Sequence, residues 1–102
     1  MVVEDRFKDP KHIKWAKAIK ERDDYMCQIC GTTDTYLNSH HLDSWDFFVE
    51  KRFNQDNGIC LCHKCHDRFH SIYGSGMNTQ YQFREYESLM ESIMKFAESS
   101  ES

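Results

Sequence analysis

Ile59-Cys60-Leu61-Cys62-His63-Lys64-Cys65-His66-Asp67-Arg68-Phe69-His70 packs a strand, a metal knuckle and the opening of a helix into one short run. Ile59 to Leu61 suit a short strand, and Cys62 and Cys65 are spaced so that both sulfurs reach one ion. From His63 to about Tyr73 the residues Phe69, Ile72 and Tyr73 recur at helical spacing until Gly74-Ser75-Gly76 stops the helix. His66 and His70 then share one helix face, separated by ~6 Å of rise. Alone, such a pair also arises by coincidence on a surface or in a core.

Upstream, Cys27-Gln28-Ile29-Cys30 forms a second knuckle. Four thiolates in two close pairs close a tetrahedron around one Zn²⁺ and leave no place for substrate. A dithiol redox pair is the rival reading, but it does not account for two knuckles together. The long interval between knuckles must hold folded structure, and it holds His40-His41 on a short strand, Tyr36 to Leu42. A loop rich in bulky residues follows, Trp45 to Phe53, then the turn-forming Asn54-Gln55-Asp56-Asn57-Gly58. The zinc is expected to pin the two ends of this hairpin, while the histidines suit a second, exposed, catalytic metal. Cys60 reads as a small buried core residue, with a ligand role as the alternative; His63 is expected to be exposed.

Asp9 and Pro10 signal the start of an N-terminal helix running to about Arg22, with Ile13, Ala16 and Ile19, or Trp15 and Ala18, as apolar positions. Beyond the glycines, Thr79-Gln80-Tyr81-Gln82 has the capping-box pattern. It opens a helix expected over about 79–97, whose stripe of Phe83, Tyr86, Leu89, Met90, Ile93, Met94 and Phe96 or Ala97 suits core or partner surface. Glu98 to Ser102 are expected to fray.

With 102 residues and no internal repeat or linker, one domain over 1–102 is expected. Five cysteines in a short chain can mean a secreted disulfide scaffold, but Met1-Val2-Val3-Glu4-Asp5-Arg6 lacks the apolar core of a signal peptide. An intracellular, reducing setting and no membrane partner are expected, since no apolar run approaches the ~20 residues that span a bilayer. The net charge of −4 hides an asymmetry. Residues 6–22 carry Arg6, Lys8, Lys11, Lys14, Lys17, Lys20 and Arg22 against Asp9 and Glu21, whereas residues 83–102 carry five glutamates against Arg84 and Lys95. The basic helix is either a solvated face around a core stripe or a phosphate-contacting surface.

The order His40-His41, Asn57, then Cys62-His63-Lys64-Cys65-His66 with His70 resembles the HNH endonucleases. The resemblance covers roughly Trp15 to Tyr73, and Tyr73-Gly74 through Asn78-Thr79 and Gln82-Phe83 is similar to small phage-borne members. It implies an α+β fold: a ββα-metal core of two antiparallel strands and a helix (about 15–73), with a four-cysteine zinc site of Cys27, Cys30, Cys62 and Cys65 and a helix on either side. It also implies hydrolysis of DNA phosphodiesters with His41 as general base, His40 and His66 as ligands of one divalent ion (Mg²⁺, Mn²⁺, Ni²⁺ or Zn²⁺), and Asn57 bracing the loop that bears the base. His70 matches a further ligand or phosphate-contacting position present in some members.

That chemistry is sound on its own terms, because an imidazole with an ordinary pKa of ~6.5 can accept a proton from water when it is not itself coordinated. Neighbouring residues on a strand point to opposite faces, so His40 and His41 are expected to need a local bulge or twist to address one phosphate. Arg52, Lys51, Lys64 and Arg68 are candidate DNA contacts or plain surface cations, and Trp45, Phe47 and Phe48 read as packing rather than base wedges. Homing, restriction and phage DNA-packaging roles all fit. The alternatives are a non-catalytic zinc-stabilised DNA-binding module or partner subunit, and dimerisation through the C-terminal helix, which is compatible with nuclease activity.

Overall fold

A computed structural model of the chain describes residues 6–100; Met1 to Asp5, and Glu101 and Ser102 of the expected frayed tail, lie outside the described residues. The elements are α1 (Pro10–Arg22), β1 (Leu37–His41), β2 (Gly58–Cys62), α2 (His63–Tyr73) and α3 (Gln80–Ser100), with 3-10 turns at Arg6–Lys8, Val49–Lys51 and Gln55–Asn57. This is the α+β arrangement expected from the sequence, a ββα core of β1, β2 and α2 flanked by α1 and α3. The final helix is longer than expected, reaching Ser100 rather than position 97.

Local chemistry sets each boundary. Asp9 Oδ1 accepts from the Lys11 N–H at 2.9 Å and Pro10 occupies the first turn of α1. Arg22 then grips Asp23 through two bonds and donates to the carbonyls of Gln55 and Gly58, while Asp23 Oδ2 accepts from Cys60 N. The end of α1 is thereby tied to β2. At the other junction Cys62 is both the last residue of β2 and the N-cap of α2, its sulfur accepting from Cys65 N at 3.4 Å. Gly74, at φ +83°, ends α2 in a conformation that favours glycine. Thr79 and Gln82 cap α3 reciprocally: Thr79 Oγ1 accepts from Gln82 N and Gln82 Oε1 accepts from Thr79 N.

β1 and β2 are antiparallel, with Leu37 opposite Cys62 at one end and His41 opposite Gly58 at the other. The core lies around this hairpin: Trp15 and Ile19 from α1, Ile59 and Leu61 from β2, Phe69 from α2, and Phe83, Tyr86 and Met90 from α3. Two helix faces differ from the sequence expectation. In α1 the buried residues are His12, Trp15 and Ile19, and Ile13 is exposed. Among the described side chains of α3 only Phe83, Tyr86 and Met90 are buried, while Leu89, Ile93, Met94 and Phe96 face outward. Gly58 also has a different reason from turn formation: it is extended, and a Cβ there would lie 2.5 Å from the Trp15 ring and 2.6 Å from Ile19. Among the described residues no helix is long and apolar enough to cross a membrane.

Candidate active site

The two knuckles meet at the open end of the hairpin. The sulfurs of Cys27, Cys30, Cys62 and Cys65 lie within 4.8 Å of one another, and Cys30 and Cys62 are 3.6 Å apart. Zn–S bonds of ~2.3 Å in a tetrahedron put sulfurs about 3.8 Å apart, so the donor set fits a structural zinc. Backbone N–H groups of Cys30 and Cys65 point at Cys27 and Cys62 respectively. Burial pushes the Cys27 thiol up, but N–H donors of Cys30, Cys62 and Ile29 outweigh it and bring it down to about 7, which favours the thiolate. Cys60 lies outside the cluster, fully buried, its thiol pushed up to about 11 by burial and then by Asp23.

The histidines occupy the opposite end of the hairpin, where α2 crosses it. Nitrogens of His40, His66 and His70 lie within 4.8 Å of one another, and the Nε2 atoms of His66 and His70 are 3.2 Å apart. Two imidazole nitrogens on one ion at 2.0–2.1 Å sit about 3 Å apart, so the spacing suits a shared metal. His70 Nδ1 donates to the Gly74 carbonyl at 2.8 Å, leaving the Nε2 lone pair for the centre. His40 Nε2 is buried with no partner in the protein, a costly state for a polar atom that an ion would relieve. Burial holds His40 well below the ordinary histidine pKa, with His66 and His70 adding to the effect, and His66 is lowered by burial and then by His70. Both imidazoles are therefore neutral at physiological pH, the form that binds metals.

His41 stands apart from this trio. It stacks on Trp15 at 3.8 Å and 13°, with His12 at 5.7 Å and Trp45 at 5.7 Å completing an aromatic box. Its Nε2 is 2.9 Å from the Arg52 carbonyl, which can only accept, so Nε2 carries the proton and Nδ1 is the basic nitrogen. Burial brings its pKa down to about 4 against the upward pull of the Arg52 carbonyl. The strand pairing continues unbroken through His40 opposite Ile59 and His41 opposite Gly58, so of the bulge or twist expected here the bulge is not present. His40 turns toward Phe69 and Phe83 and His41 toward Trp15, yet both line one cleft of about 100 Å³ together with His66 and His70, because they end the strand at its mouth.

Asn57 fastens the loop between the strands. Its Oδ1 accepts from Asp43 N at 2.8 Å, and its Nδ2 donates to the carbonyls of Asp43 and Lys51. Asp43, buried, pairs with Lys51 and accepts from Gln80 N at the start of α3. Arg52 donates to the Trp45 carbonyl and lies 4.4 Å over the Trp45 ring. Lys64 and Arg68 line a different depression, beside Cys30, Cys62 and Cys65. Trp45 is buried and Phe48 half-buried, while Phe47 is mostly exposed and meets the Phe48 ring edge-on at 5.0 Å.

Arg6 and His12, both from outside the hairpin, also line the cleft, and neither stood out in the sequence. The only hint of His12 was its place one turn before Ala16 and three residues before Trp15, on a face that apolar periodicity scores as polar. Arg6 sits against Trp45 and Phe7, its pKa lowered by burial, with Asp46 opposing.

Comparison with known proteins agrees with this geometry. The HNH endonuclease family matches residues 27–71, from the first knuckle through α2. Anaredoxin of Nostoc sp. is 28% identical over 60 residues, which is 59% of this chain and 76% of that protein. No solved structure matches the chain.

Proposed function

From residues 27–71 as an HNH endonuclease domain with a four-cysteine cluster suited to structural zinc, we propose that the protein is a metal-dependent endonuclease hydrolysing DNA phosphodiester bonds. The observation that carries this reading is one cleft shared by a three-imidazole cluster, His40, His66 and His70, and a separately held, proton-accepting imidazole, His41. His40, His66 and His70 would hold a divalent ion, which would supply positive charge against the negative charge that develops on the phosphate and the departing 3′ oxygen.

In this reading His41 Nδ1 takes the proton of the attacking water while its Nε2–H stays on the Arg52 carbonyl. Stacking on Trp15 fixes the ring, so no rotamer search precedes proton transfer. Asn57 holds the loop that carries the Arg52 carbonyl through its bond to Lys51 O, and so positions the base indirectly. Arg6 offers a cation to the phosphate from the far wall of the cleft. Lys64 and Arg68 line the depression on the zinc side, and in this reading they would meet flanking phosphates rather than the bond under attack.

The test is nicking of supercoiled plasmid by zinc-loaded protein across Mg²⁺, Mn²⁺, Co²⁺ and Ni²⁺. Cleavage by the wild type and its loss in His41→Ala, with zinc content and helicity intact, is the expected outcome. DNA binding without cleavage in every metal would favour a non-catalytic zinc-stabilised binding module instead.

A further inference from the structure

The catalytic cleft does not end at the histidines. A groove of about 450 Å³ shares Phe7, His12 and Ser39 with it and runs between α1 and the strand β1. Among the described residues β1 pairs only with β2, so its other edge borders this groove, tied to α1 through Ser39 Oγ donating to the Ala16 carbonyl. Lys17 and Lys20 line one wall, and Tyr36, 70% exposed, lies on the other with Asn38, whose Nδ2 has no partner in the protein. An exposed aromatic ring beside two lysines suits an occupant that offers both a flat apolar face and negative charge.

We propose that this groove takes the single DNA strand leading away from the bond under attack, with one base stacked on Tyr36 and its flanking phosphates on Lys17 and Lys20. The inference rests on the nuclease reading of the adjoining cleft. Three observations favour this occupant. The volume falls within the ~300–1,000 Å³ of sites that enclose small-molecule-sized groups, which suits one or two nucleotides. In a duplex the base faces are covered by their neighbours, whereas an unpaired strand can offer them to a tyrosine ring. The Lys17–Glu21 pair, at 3.8 Å with both side chains mostly exposed, is weak enough to yield to a phosphate, and the Lys20 ammonium, 5.9 Å over the Tyr36 ring, can swing from that face to the phosphate of a base that stacks there.

The test uses zinc-loaded protein without added divalent ion, a fluorescein-labelled short oligothymidylate, and a blunt duplex of the same length, read by anisotropy. Tyr36→Ala is expected to weaken oligothymidylate binding roughly tenfold, and Tyr36→Phe, which keeps the ring, by no more than about twofold. The Lys17→Ala/Lys20→Ala double variant should lower the salt dependence of binding to the single strand by roughly 1.4 in log–log slope. With a divalent ion added, hydrolysis of bis(p-nitrophenyl) phosphate, too small to reach the groove, should be unchanged in all of them. Unchanged oligothymidylate affinity in Tyr36→Ala, an equal loss in Tyr36→Phe, or equal weakening for the duplex overturns the proposal. The small diester reports separately on the cleft: wild type inert toward it in every metal, with the strand affinities shifting as stated, would sink the nuclease reading and leave the groove as a strand-binding site.

Discussion

His41 shows how one side chain is given a single task by its surroundings. The Arg52 carbonyl fixes its tautomer, Trp15 fixes its plane, and burial keeps it neutral, so Nδ1 is the only site left for a proton. Its removal in His41→Ala should lower cleavage by about 10²–10⁴-fold, measured as initial nicking rate at saturating metal. Asn57 is the matching structural residue, since its amide satisfies the backbone N–H and carbonyl of Asp43 and adds a second donor to the Lys51 carbonyl, which also accepts from Asn54 N. Asn57→Ala should therefore cost about 1–3 kcal/mol in urea unfolding and speed hydrogen exchange through residues 43–52; an unchanged exchange pattern would remove its bracing role. His12 makes a third, pH-dependent case. Its pKa is lowered by burial and then by Arg6, against Asp9, and His41 stacks beside it. The unfolded chain takes up this proton near pH 6.5 and the native state only at lower pH, so stability is present above 6.5 and is lost as pH falls below it. The urea midpoint should drop between pH 7 and 5 and drop less steeply in His12→Phe.

At the scale of elements, strand, knuckle and helix could be read directly because their signals are local: cysteine spacing, a histidine pair, and apolar recurrence ending at Gly74. Even the capping box of α3 is written in four consecutive residues, and Thr79→Ala should cost about 1 kcal/mol of stability by thermal or urea unfolding. What could not be read depends on contacts between distant segments. Counting His12 as polar shifts the apparent core face of α1 toward Ile13, although Trp15 and Ile19 in fact carry His12 inward with them. Gly58 looked like a turn residue because Asn-Gly is a turn signal, yet it is small because the Trp15 ring lies against it from more than forty positions upstream. Arg6 and Asp43 belong to the same class: no spacing rule links them to the histidines that they surround or support. The bulge expected at His40-His41 rested on a flat picture of the strand, whereas at the last pair of a hairpin two opposite faces open onto one cleft.

For the whole molecule, the hairpin separates two clusters of metal-ligating side chains. Sulfurs gather at the end where Leu37 faces Cys62, and imidazoles gather at the end where His41 faces Gly58, four residues and ~13 Å of strand away. The sulfur site is closed and tied into the core through Cys65, whose carbonyl accepts from Tyr86; the imidazole site lines an open cleft. In the proposed mechanism this division lets a zinc-held scaffold present a separate, exchangeable ion to DNA beside His41. The direct measurement is plasmid nicking by protein from which a mild chelator has removed only the loosely held ion, with bound zinc counted before and after. One zinc and the helical signal should persist, nicking should disappear, and adding back Mn²⁺ or Ni²⁺ should restore it in the wild type but not in His41→Ala. Nicking that vanishes only together with the zinc and the fold, or that returns equally in His41→Ala, would contradict it.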